Sequence, residues 1–317
     1  MPATRPQAVV IFAFLALLPA SAAPAQSPVD RQRLTNIGRG SAAENLPTLT
    51  LATDGRGEEF APWSPGSTDL GEQRILKRPD EYESLSFSAA VAGYLTDNVA
   101  LVSEGELDDA FMVTTLAAAW RPRITRRLYG ELSATEQIYR YDEYGVLDFE
   151  SLEPAVGLTY LADWLGGMSL GVRYAYTRYT SGQDDVFNET HALALAAQKP
   201  FIYSRGLWFY IGAGTKLALS TDPEIAARNE YGIQVGMNAA LARWLELQLY
   251  ARSSVFDYPE YGRVDFNQII GANLNFKACA QFTGSLFASA AFNRSDEGTF
   301  DYDVFNPGVG VALNLRF

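Results

Sequence analysis

The residues of this chain whose types could do chemistry are one histidine, His191 in "NETHAL", and several tight groups of carboxylates. An imidazole titrates near neutrality and is the commonest general acid or base, but it works only with a partner that the fold sets beside it. Asp184 and Asp185 lie a short way upstream, yet nothing in their spacing demands an Asp–His pair, so His191 reads as a polar residue at an interface. The acidic stretches "QDD" (183–185), "SDE" (295–297) and "DYD" (301–303) offer carboxylate oxygens that could hold Ca²⁺ or Mg²⁺ at about millimolar levels, with Asp184, Asp185, Asp301 and Asp303 as candidate ligands. The other reading of the same residues is a solvated acidic surface, and no spacing matches an EF-hand. The sequence contains neither a His/Cys ligand pattern nor a phosphate-cradling glycine loop. No cofactor and no enzymatic activity are expected.

Composition narrows the class further. Asp and Glu number 37 against 25 Lys and Arg, a net charge of −12, so the chain has no basic footprint for nucleic acid. Its single cysteine, Cys279, cannot close an internal disulfide. Residues 1–25 carry Arg5, a 13-residue apolar run "AVVIFAFLALLPA", and Ala23 and Ala25 framing a cleavage-type site. That pattern is a secretory signal peptide, because the run is too short for a helix that spans a bilayer.

From residue 81 to 317 the chain repeats an alternating strand, a turn, and another alternating strand. In "MSLGVRYAYTRY", Leu170, Val172, Tyr174 and Tyr176 alternate with Ser169, Gly171, Arg173 and Ala175. A period of two marks a strand with unlike faces. Such strands are expected to start near residues 83, 110, 127, 149, 167, 189, 207, 229, 245, 263, 281 and 304. The polar face is mostly Gly, Ala, Ser, Thr and Asn, as in Gly212, Gly214, Gly236 and Asn238, which suits an enclosed interior behind an apolar exterior.

The connectors alternate too. One set is short and neutral or basic (121–127, 162–167, 198–206, 241–244, 277–280), and the other is longer and acidic (103–110, 142–150, 181–189, 220–230, 257–265, 294–303). Trp120, Trp164, Trp208 and Trp244 lie beside the short set. Tyr94, Tyr139, Tyr141, Tyr176, Tyr179, Tyr231, Tyr258, Tyr261 and Tyr302 lie near the acidic set. Two aromatic girdles at two membrane interfaces would sort them this way. Glu136 falls on the apolar register, which predicts a bulge that turns it inward, and Pro154 interrupts the fourth strand.

In these features, and in the terminal strand "VGVALNLRF", the chain resembles the outer-membrane β-barrel proteins of diderm bacteria. The resemblance implies an all-β fold: a single up-and-down antiparallel transmembrane barrel of about twelve strands. It covers residues 81–317, after a signal peptide (1–25) and a mostly irregular periplasmic leader or possible plug (26–80). It implies that Leu313, Leu315 and Phe317 form the terminal signal read by the barrel-assembly machinery, with Ala312 where the family usually has Gly. Lipid and lipopolysaccharide are the implied surroundings, with both the leader and the C-terminus in the periplasm. Phospholipases of this membrane use a His, Ser and Asn set, but the position two residues after His191 is Leu193, where that pattern would need Ser.

Two functions follow from the pattern of inward residues. In one, the barrel is a narrow porin-like channel for small solutes. Glu131, Glu153, Arg173, Lys216, Glu246 and Arg252 line its lumen, with the cations facing the carboxylates to give a transverse field. In the other, Tyr129, Tyr139, Trp208, Tyr210, Tyr250 and Phe287 fill the lumen, and the closed barrel is a surface scaffold or adhesin acting through its acidic loops. The basic stretch "RILKRP" (74–79) could enter the barrel mouth and meet the inward carboxylates.

Overall fold

The computed structural model describes residues 28–38, 82–182, 185–204 and 206–317. A helix, α1 (Pro28–Gly38), precedes twelve strands: β1 (Leu85–Thr96), β2 (Asp109–Trp120), β3 (Leu128–Tyr141), β4 (Phe149–Ala162), β5 (Met168–Ser181), β6 (Val186–Ser204), β7 (Leu207–Asp222), β8 (Asn229–Ala242), β9 (Leu245–Tyr258), β10 (Arg263–Lys277), β11 (Phe282–Ser295) and β12 (Tyr302–Arg316). Each strand pairs antiparallel with the next, and β12 pairs back onto β1, so the sheet is a closed barrel with no edge. The largest departure from the expected starts is at β6, which begins at Val186 where Glu189 was expected.

Closure explains the terminal aromatic. The Leu85 amide donates to the Phe317 carbonyl at 3.0 Å, and the Phe317 amide returns a bond to Leu85 at 2.9 Å. The Phe317 ring meets Phe87 edge-on, with centroids 6.3 Å apart. The last residue therefore completes the ladder that joins the two ends of the sheet.

The barrel is apolar outside and polar inside. Leu132 and Ile233 stand on the outer face, 56 % and 62 % exposed, while Gln137, Asn267 and Asn273 on the inner face are 2 %, 2 % and 1 % exposed. This inverts the arrangement of a water-soluble sheet, and it is the arrangement a barrel needs when hydrocarbon covers its outside. The short connectors lie at one rim and the acidic connectors at the other.

Four local readings of the sequence change. Glu136 is not turned inward: it pairs opposite Leu116 on one side and Leu152 on the other with no break in register, so its carboxylate lies on the apolar outer face. Pro154 leaves the β3–β4 register intact and interrupts only the β4–β5 ladder, which passes from Leu152↔Arg178 to Ala155↔Ala175. Proline has no amide hydrogen, so its strand loses bonds on one side alone. The connector at 198–206 is mostly strand, because Lys199 to Ser204 continue the pairing with β7 and carry exposed Phe201, Ile202 and Tyr203 on a hairpin extension. Finally, Tyr94, Tyr139, Tyr141, Tyr179, Tyr258 and Tyr302 are buried inside the barrel instead of forming an outer girdle. Tyr231 does lie outside, and so do Trp120, Trp164 and Trp244 at the opposite rim.

Glu136 is the clearest cost in this exterior, since a carboxylate facing lipid has neither solvent nor, among the described residues, a cation. Glu136→Leu is expected to stabilise the lipid-reconstituted barrel by on the order of 1 kcal/mol, below the range for a basic residue at the same depth. The check is the urea midpoint for unfolding from vesicles.

Candidate functional site: the occupied lumen

α1 lies inside the barrel. Its sequence "PVDRQRLTNIG" has ordinary helix punctuation, with proline in the first turn, Asp30 near the positive end and glycine at the close. Its polarity is unusual. Asp30, Arg31, Gln32, Arg33, Leu34 and Thr35 are all buried, so the helix has no solvent stripe. Eleven polar-faced residues would not hold a helix in water. Here the barrel wall supplies the partners.

Each buried polar group of α1 meets a different part of that wall. The Gln32 side-chain amide donates to Gln137 on β3 at 2.7 Å and to Ser151 on β4 at 2.8 Å, and its oxygen accepts from the Tyr179 hydroxyl on β5 at 2.5 Å. Arg33 donates to Glu230 on β8 at 2.9 Å, to Ser254 on β9 at 2.8 Å and to Asn267 on β10 at 3.4 Å. Its guanidinium also lies 4.1 Å from the centre of the Phe256 ring. The Thr35 and Tyr139 hydroxyls share a hydrogen bond of 2.7 Å, and the Tyr94 hydroxyl donates to the Thr35 carbonyl at 3.2 Å. Gln137 donates to Asn36 at 2.6 Å. Two residues of α1 make apolar contacts: Leu34 with Leu101, Ile269, Ala291, Tyr302 and Val304, and Val29 with the cluster that includes Tyr94, Val99 and Phe111.

The acidic rim holds the start of the helix. Arg228, in the connector between β7 and β8, donates to Asp30 at 2.5 Å. Burial works against the Arg228 charge, but Tyr258, Asp30 and Glu230 around it outweigh burial and hold its proton more firmly than in an ordinary arginine. Inward aromatics form a collar about the helix: Tyr94 stacks on Phe111 with centroids 4.8 Å apart, Phe111 on Tyr141 at 5.0 Å, and Tyr139 on Phe149 at 4.1 Å. Such pairs are rigid, so the seat is formed by the barrel itself.

Glu131, Glu153, Arg173, Lys216, Glu246 and Arg252 all face inward, but not as opposed charges across the lumen. Arg173 bonds Glu153 at 2.7 Å and lies 3.5 Å from Glu131, which also meets Arg121 at 3.3 Å. Glu246 pairs with Lys277 at 2.6 Å near the short-turn rim, and Arg252 pairs with Glu230. Neighbouring strands neutralise one another, so no transverse field arises from these residues. Lys216 instead lines a cavity beside α1.

Three of the inward aromatics do not fill the lumen either. Tyr210, Tyr250 and Phe287 lie directly opposite Gly236, Gly271 and Gly308 on the next strand, and a Cβ at any of these glycines would collide with the facing ring. Each ring lies flat on the wall because its partner has no side chain.

Of the candidate ion ligands, Asp301 accepts from the Ser295 amide at 2.7 Å and Asp303 from Arg294 at 2.6 Å. Asp185 is exposed, and Asp184 lies outside the described residues, as does the 74–79 stretch. Among the described residues no group of three His, Cys, Asp or Glu could hold a metal. His191 faces outward, with its Nδ1 2.6 Å from the Tyr174 hydroxyl. The sequence reading missed α1 and its anchor Glu230. The legible signals were the helix punctuation in 28–38 and the inward parity of Glu230 in "NEYGIQVG".

Glu230 is the residue on which the seat of α1 most depends, because it serves Arg33 and Arg252 together. Glu230→Gln is expected to cost about 3–5 kcal/mol by leaving two buried guanidiniums without their shared anion. The check is hydrogen exchange: amides of residues 28–38 should lose protection while those of the β1–β12 closure keep it.

The sequence matches no protein-family model and no curated protein. Among solved structures, an outer membrane channel from Pseudomonas putida F1 superposes with a TM-score of 0.52 at 12 % identity, over 75 % of this chain and 99 % of that one. Two weaker likenesses are the translocator domain of the autotransporter NalP from Neisseria meningitidis (TM-score 0.42, 13 % identity, 74 % and 89 % covered) and the NanC porin (TM-score 0.43, 9 % identity, 72 % and 100 % covered). The first likeness and the closed twelve-strand ladder agree: this chain has the fold of the bacterial outer-membrane β-barrels.

Proposed function

We propose that the protein is a non-enzymatic outer-membrane channel for small solutes, held closed by α1 near its acidic mouth. The observation that carries this reading is a polar helix seated in a polar lumen by hydrogen bonds to seven strands. A structural core would be expected to use mainly apolar contact, which here only Leu34 and the half-buried Val29 supply among the described residues. Polar bonds can be exchanged for water at little net cost each, on the order of 0.5–1.5 kcal/mol, so a helix held this way can leave without unfolding the barrel. The rings of Tyr210, Tyr250 and Phe287 lie over Gly236, Gly271 and Gly308.

In this reading the outer face meets lipid, and the ion pairs Arg140–Glu150, Arg178–Glu189 and Arg294–Asp303 stand on it near the acidic rim, where lipopolysaccharide headgroups would lie. Leu313, Leu315 and Phe317 present the outward residues of the last strand to the assembly machinery during insertion. The short-turn rim and the C-terminus face the periplasm.

The experiment is single-channel conductance of the refolded mature protein in a planar bilayer, with and without residues 26–38. The full chain is expected to show small or intermittent steps, and the shortened chain larger and steady ones. Absence of conductance from both, with heat-modifiable mobility showing folded barrels, would overturn the channel reading and leave a closed scaffold whose acidic loops adhere to a partner.

A further inference from the structure

Beside the start of α1, beneath the acidic rim, lies a cavity of about 240 Å³. Its wall carries Lys216, Arg228 and Arg263 alongside Asp30 and Glu230, in a chain of net charge −12. Two of these cations have no hydrogen-bond acceptor among the described residues, although Arg263 is ion-paired with Asp265 and Lys216 lies across the ladder from Glu230. Lys216, projecting from β7 into the lumen, has no hydrogen bond and no ion pair within 4 Å among the described residues. Arg263 is 7 % exposed, and its Nε, 3.1 Å from Asp265, is too poorly aligned to bond it. Its guanidinium lies between the rings of Tyr258 and Phe300, 3.8 and 3.7 Å from their centres.

The buried Nε of Arg263 has no hydrogen-bond acceptor among the described residues, and such a donor keeps its desolvation cost unless something else accepts from the group. The rings fix its plane and stabilise its charge, but they accept none of its N–H groups. The third cation shows what the cavity wall accepts: Arg228 is occupied by a carboxylate, that of Asp30 on α1. The rest of the lining is flat and largely apolar, with Tyr179, Phe187, Ile225 and Tyr261 facing the same space.

We propose that this cavity is a binding site for a small monocarboxylate with a flat apolar body. The carboxylate accepts from Lys216 and Arg263, and the body lies against the aromatic wall. Charge-assisted bonds inside a partly desolvated site are the strong kind. The site adjoins the Asp30–Arg228 contact, so a bound carboxylate competes for the cations that hold the start of α1. The proposal names the solute class of the channel reading and rests on the lumen being open to solutes. Its test needs no conductance, so the two readings can fail separately.

The experiment is isothermal titration calorimetry of the refolded, detergent-solubilised mature protein with benzoate, and with benzamide as a neutral probe of nearly the same shape. Benzoate is expected to bind saturably, and benzamide at least roughly tenfold more weakly. Lys216→Gln is expected to weaken benzoate about tenfold while heat-modifiable mobility shows the barrel intact, since one charge-assisted bond is worth about 1.5–3 kcal/mol. Asp30→Asn, which frees Arg228, is expected to strengthen it. Equal binding of the two probes, no saturable binding of benzoate, or benzoate affinity unchanged in folded Lys216→Gln would each overturn the proposal.

Discussion

Hydrocarbon offers no partner to a backbone amide or carbonyl, so a sheet that faces it on all sides has to return to its own first strand. Here Ser86–Tyr94 on β1 pair with Gly308–Arg316 on β12, and the final residue contributes two of the closing bonds. Closure fixes which side chains point out and which point in, because the pleat alternates without interruption along most ladders. The apolar set is spent on the outside. The interior must therefore be built from the remaining small and polar residues, and its hydrogen-bonding groups need partners that a strand wall alone cannot give.

α1 answers part of that need. Gln137, Ser151, Ser254 and Asn267 are buried and inward, and each bonds a side chain of the helix. The relation is mutual, since the helix has too little apolar surface to be stable elsewhere and the wall has polar groups left over. Such an interface differs from a core. Its energy lies in several modest bonds and one buried charge group, Arg33–Glu230–Arg252, instead of in area removed from water. A segment held this way is well fixed in position and still separable from the barrel.

The placing of three inward rings depends on three glycines. Tyr210, Tyr250 and Phe287 would occupy the lumen if their cross-strand partners carried side chains, and each lies flat because the partner does not. Charges are treated in the same local way. Arg173 on β5 is satisfied by Glu153 on the adjacent β4 and Glu131 on β3, one strand further along the wall. Lys216 and Arg263, the latter beside Asp265, face the cavity beside α1.

The period of two, the alternation of short and acidic connectors and the terminal aromatic are local properties, and they were enough to place twelve strands within three residues and to give the closed antiparallel fold. At Glu136 the pleat outweighs the local cost of a charge: the expected inward bulge is absent, because Leu116 and Leu152 hold the outward register on both sides. The tyrosines were misread because their position near the acidic rim is a local fact, while what they touch is not. Tyr139, Tyr179 and Tyr94 close on Thr35 and Gln32, residues far away in the chain and inside a stretch without alternation. The sequence by itself determined the wall, since a strand's period is set by its own neighbours. Only the tertiary structure decided what the wall encloses, because a helix of eleven mostly polar residues has no stable conformation of its own and takes its place from contacts that closure creates.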